Sequence, residues 1–202
     1  MKDAKRVFED IEQCRTVTAL DDLLIKYSYE EEAKRYRQKY PEKQIILSKQ
    51  EIQSLKDAEI ISRKTNHINL DKIPVDQPLV KLLISLIWKQ GDINHIQHLV
   101  GGMLNDEDKS GSKQNLIFRQ YGKSLVDTSE PIVDQHVLRA FQLRNVQDEK
   151  ESLRIKEKTV YKNDDNKVVD AYRKWFQDLL KNVPEAGRPG FRDINLTYCF
   201  LS

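Results

Sequence analysis

Read for the spacing of its apolar and polar positions, the chain resolves into a succession of helices. Val7, Phe8 and Ile11 share one face of residues 3 to 13, which predicts a short, loosely docked helix. Leu20, Leu23, Leu24 and Tyr27 form the next stripe, with Thr18 or Asp21 as its cap and Pro41 ending a helix that reaches about Tyr40. Ser48 and Glu51 have the spacing of a capping box, and Ile52, Leu55, Ile60 and Ile61 extend that helix to about Arg63. Residues 64 to 77 read as a linker. After Pro74 and Pro78 come Leu79, Leu82, Leu83, Leu86, Ile87 and Trp88, the most apolar stretch of the chain and the expected centre of its core.

Gly91 stops that helix, and Asp92 caps one carrying Ile93, Ile96, Leu99, Val100 and Met103, with Gly101-Gly102 as its frayed end. Residues 105 to 113 have loop composition, and the helix through Leu116, Ile117 and Tyr121 is expected to stop near Gly122. Pro131 opens a helix to about Arg144. Charges dominate 147 to 167, which predicts a solvated, mobile excursion. Val168, Val169, Tyr172, Trp175, Phe176, Leu179 and Leu180 make a strongly amphipathic helix, and a last one follows Gly187-Arg188-Pro189-Gly190.

Composition sharpens this picture. Seven glycines and six prolines in 202 residues are about half of average usage, so an all-α fold follows: a main helical domain from 72 to 202 and an N-terminal helical extension, 1 to 71. Cys14 and Cys199 lack the spacing of a metal pair or a disulfide framework, which fits free thiols in a reducing, cytoplasmic compartment. The N-terminus lacks the apolar stretch of a signal peptide, and no run is long enough to span a bilayer, so no membrane association is expected. The net charge of +2 excludes a polybasic tail but leaves room for a local cluster. One such run, Lys34-Arg35-Tyr36-Arg37-Gln38-Lys39-Tyr40, reads better as a helix end whose cations complement the dipole than as a phosphate track. His95 and His98 lack companion ligands at a useful spacing, so neither a metal nor another cofactor is expected.

The segment that carries candidate chemistry is 131 to 139. Within the helix from Pro131 to Arg144, Ile132, Val133, Val137, Leu138, Ala140, Phe141 and Leu143 point in nearly every direction around the axis, so it should be buried on most sides and its polar residues need a reason. Asp134 falls in the first turn, where free N–H groups and the helix dipole stabilise a carboxylate. Such a group can polarise a water or offset a developing positive charge. It can equally hold the turn, with His136 and Arg139 hydrogen-bonded in the core.

Pro131-Ile132-Val133-Asp134-Gln135-His136-Val137-Leu138-Arg139 resembles the catalytic segment of the helix-hairpin-helix DNA glycosylase superfamily: an apolar residue, Asp, Thr, His, Val, any residue, Arg. Val133, Asp134, His136, Val137 and Arg139 agree with it. Gly111-Ser112-Lys113-Gln114-Asn115 falls where the family has the second half of its hairpin, and Tyr121-Gly122 where it has an aromatic residue and Gly. The resemblance runs from Leu79 to Leu143 and implies a multi-helix glycosylase-like fold acting on double-stranded DNA. It implies Asp134 as the catalytic aspartate and Lys113 as the Schiff-base lysine of bifunctional members. Trp88, His136 and Arg139 would line the pocket for a flipped base, and Gly111, Ser112 and Lys123 would meet DNA. This chain departs from the pattern at Glu107-Asp108-Lys109-Ser110-Gly111, where the family hairpin is glycine-rich and two acids here would repel a phosphate; Arg144 stands one place late for a second arginine. A second reading follows from those acids and the near-neutral charge: a non-enzymatic helical module that binds a protein or nucleic-acid partner.

Overall fold

A computed structural model describes residues 4–27, 29–31, 34, 46–62, 67–74, 76–91, 95–105, 115–161 and 165–192. These residues are predominantly helical, with a single two-residue antiparallel pairing. No helix among them is long and apolar enough to cross a membrane. Contacts group the chain into two units, Met1–Gln44 with Thr128–Ser202, and Ile45–Asp127.

The first unit begins with α1 (Ala4–Gln13) and α2 (Val17–Lys26). Thr16 caps α2 by accepting the Ala19 N–H at 3.2 Å, two residues before the expected Thr18. Far from docking loosely, α1 buries Val7, Phe8 and Ile11 completely or nearly so. Its Phe8 ring meets Phe141 and Trp175 edge-on at 5.8 and 5.1 Å. In the same unit, α7 (Gln135–Leu143) and α9 (Asn166–Lys181) pack together, with Phe141 against Tyr172 at 5.0 Å. Between them runs α8 (Glu149–Lys156), inside the stretch expected to be a mobile excursion. Asp148 caps it by accepting the Glu151 N–H at 2.8 Å, and Ile155 and Tyr161 are buried, which anchors the charged segment. Residues 162–164 lie outside the described residues. A 3-10 turn and the short α10 (Arg188–Arg192) follow, and the expected last helix also falls outside the described part.

The second unit opens with α3 (Lys49–Asp57), whose Ser48–Glu51 capping box forms as expected. It stops before Ile60, short of Arg63. Glu59 adopts the left-handed conformation (φ 56°), and Ile60 N–H donates to Leu55 O while Glu59 N–H donates to Lys56 O, a Schellman closure. Ile61 then pairs with Ile68 in β1 (Ile61–Ser62), where helix was expected, and β2 (His67–Ile68), within the expected linker. The core of this unit gathers Ile61, Val100, Met103, Leu104 and Leu125.

The largest departure concerns α4 (Pro78–Gln90), expected at the centre of the core. Leu79, Leu82, Leu83 and Leu86 are 65%, 67%, 49% and 52% exposed, while Val80, Ile84 and Ile87 are half-buried. The centre of this unit is instead the pair α5 (His95–Met103) and α6 (Leu116–Ser124). Gly101 and Gly102 are buried within α5 and do not fray its end. A Cβ at Gly102 would lie 2.0 Å from the Arg119 carbonyl oxygen, and one at Gly122 2.0 Å from that of Leu99. The glycine Cα–H groups therefore point at those oxygens, and the two backbones cross in contact. This role also explains why α6 continues past Gly122.

Candidate active site

The chain approaches α7 through a buried, extended stretch. Glu130 is only 8% exposed, and Pro131 and Val133 are fully buried. Arg173 on α9 grips the Glu130 carboxylate with both arms of its fork, Nε to Oε2 at 2.7 Å and Nη2 to Oε1. That bond raises the Arg173 pKa further. Pro131, expected from the sequence to open the helix, does not; the helix starts after Asp134, which is its N-cap with extended backbone (φ −129°, ψ 176°). Asp134 Oδ1 accepts the Val137 N–H at 2.8 Å, satisfying one of the free donors of the first turn. Its carboxylate is half-buried.

His136 and Arg139 lie one turn apart on the same helix. Arg139 Nη1 donates to the Lys156 carbonyl at 2.9 Å, which ties α7 to the last turn of α8. Its Nη2 is 2.7 Å from His136 Nδ1. A guanidinium only donates, so Nδ1 accepts and the imidazole proton sits on Nε2. His136 is exposed and Arg139 half-buried, with Arg139 Nε buried and without a hydrogen-bond partner among the described residues.

Behind this row stands Tyr161, a residue whose importance sequence reasoning did not reach. It is buried, and its hydroxyl donates to Gln142 Oε1 at 2.8 Å. Burial pushes the phenol well above its ordinary value, Arg139 opposes this, and the carboxylates of Asp165 and Asp134 add to it. Lys158 pairs with Asp165 and lies 4.7 Å from the Tyr161 ring centroid. No local pattern marks these residues, since each is brought to α7 by the return of the chain. Arg144 packs over Phe141 at 3.3 Å, within a box completed by Phe8, and burial lowers its guanidinium pKa.

Of the residues singled out in the sequence, the structure brings Asp134, His136 and Arg139 together. Trp88 and Lys123 belong to the other unit, Trp88 on α4 and Lys123 half-buried in the last turn of α6. Lys113, Gly111 and Ser112 lie outside the described residues, as do most residues of the basic run at 34 to 40. His95 stacks on Phe118 at 4.3 Å, and no cluster of three His, Cys, Asp or Glu suited to a metal occurs among the described residues. The chain was also compared with known proteins: no family model matches it, and neither a curated protein nor a solved structure does.

Proposed function

We propose that this chain binds double-stranded DNA in the manner of helix-hairpin-helix glycosylases, with Asp134 as the group that would act at the sugar of a flipped base. The observation that carries this reading is the crossing of α5 and α6. These two helices flank residues 107–115, the stretch matched to the family hairpin, and the close approach at Gly102 and Gly122 holds them side by side as the arms of such a hairpin would lie. Asp134 adds support, as a half-buried carboxylate held at a helix start by the turn it caps. In the reaction, Asp134 would take a proton from the attacking Lys113 amine or water and offset positive charge growing on the sugar, while the attack on the anomeric carbon breaks the N-glycosidic bond and the base leaves with its electron pair and takes up a proton.

A mobility shift on duplex DNA tests the binding step: affinity should fall steeply as salt rises, because phosphate contacts release counterions. No shift at low salt refutes it. Borohydride trapping on damaged-base duplexes tests the lysine route, and a trapped adduct that survives Lys113→Ala removes Lys113 from it. Activity retained by Asp134→Asn removes Asp134.

A second reading, a non-enzymatic interaction module, is favoured by one observation. The four leucines on α4 form an exposed apolar stripe of the kind that marks a contact surface.

A further inference from the structure

The leucines of α4 do more than lie exposed; they are arranged. Leu79, Leu82, Leu83 and Leu86 are spaced i, i+3, i+4 and i+7, so at 3.6 residues per turn they fall within about 100° of arc over two turns. On one side this stripe is bordered by the half-buried Val80, Ile84 and Ile87. On the other side runs the exposed row Lys81, Ser85 and Lys89, spaced i, i+4 and i+8. The helix contains no acidic residue from 78 to 90. Its accessible surface is therefore a leucine ridge with a positive charge row along one edge only.

We propose that this face docks an amphipathic helix of a partner protein whose leucine-type stripe is edged on one side by Asp and Glu; the proposal rests on the interaction-module reading and names its partner. The i, i+3, i+4, i+7 anchor pattern is the one by which helices recognise helical partners. Charge complementarity selects among occupants, because acids opposite Lys81 and Lys89 attract while bases repel. A second copy of the same helix brings lysines and no acid to the seam.

The test uses the full chain and two labelled synthetic helices of about 18 residues, long enough to populate helix in water. Both carry leucines at i, i+3, i+4 and i+7; one is edged with glutamate and the other with lysine. Fluorescence anisotropy should show the glutamate-edged peptide binding at least about tenfold tighter, a preference that shrinks at high salt. Lys81→Glu with Lys89→Glu should reverse the preference. Leu82→Ser with Leu86→Ser should abolish binding of both peptides with an unchanged circular dichroism spectrum, since both side chains are already solvated. Equal binding of the two peptides overturns the proposal while leaving the interaction reading intact. Binding of neither overturns both. A dimer in sedimentation that the leucine substitutions dissolve assigns the face to a second copy, and binding to anionic phosphatidylserine vesicles without peptide binding assigns it to a membrane surface; each of these also overturns the proposal.

Discussion

Asp134 is held by the simplest of forces, a carboxylate oxygen 2.8 Å from a backbone N–H that would otherwise lack a partner inside the helix. Its replacement by Ala should cost about 1 kcal/mol in urea unfolding, whereas Asn, which can accept the same bond, should cost much less. Equal losses for the two variants would show that the cap is not what the carboxylate contributes. The approach to Asp134 depends on a stronger contact. Glu130 is buried and held bidentately, so Arg173→Met strands a charge in the interior and should destabilise by about 3–5 kcal/mol. Changing both partners to apolar residues should recover a large part of that loss, measured by the same unfolding experiment. The Asp was legible as a helix-start residue because N-capping is written within four residues. Arg173 was not, since its partner lies 43 positions away and nothing local to either residue announces the other.

At the scale of elements, the crossing of α5 and α6 turns on the absence of two side chains. Gly122→Ala would put a methyl group onto the Leu99 carbonyl, with backbone on both sides and no flexible side chain to yield. We expect a loss of about 3 kcal/mol, visible as a lowered midpoint in thermal or urea melts. Gly91 is a control of a different kind. Its left-handed φ of 75° opposes a side chain, but no described residue lies within 4 Å of the site, so Gly91→Ala should cost only about 1–2 kcal/mol. The reverse ranking would mean that the two helices do not cross in backbone contact. From sequence, Gly101-Gly102 reads as a helix end, because glycine's poor helix propensity is the only local signal it gives. The gain that outweighs this propensity comes from a neighbouring helix and is invisible along the chain. α4 shows the opposite error. The most apolar helix of the chain reads as buried, yet hydrophobicity states only what a surface prefers and not whether another element is placed to cover it.

For the molecule as a whole, acid stability tests how α1 and α2 are joined. The Asp10 carboxylate accepts from Lys26 Nζ and, at 2.6 Å, from the Tyr27 hydroxyl. The Lys26 bond, and then the Tyr27 bond, lowers its pKa below the ordinary value of 3.8. A carboxyl depressed on folding contributes stability that is fully present above its unfolded pKa and is lost as pH falls through the folded one. Asp10→Asn should therefore lower stability at neutral pH and flatten the acid limb of a stability–pH profile below about pH 4. An acid limb of unchanged slope would show that other carboxylates carry it. The sequence by itself determined the features that close over a few residues: a predominantly helical chain, the Ser48–Glu51 box, the amphipathic α9, and a carboxylate at the start of the helix that carries His136 and Arg139. Only the tertiary structure decided the rest. It returned α1 to the aromatic packing around Phe141 and Tyr172, bound the charged segment down through Ile155 and Tyr161, and left the leucines of α4 in water. The physical reason is that capping and periodicity act between neighbours along the chain. Burial depends on which surfaces meet after distant segments return, and the energy of such contacts is shared between residues that no short window contains.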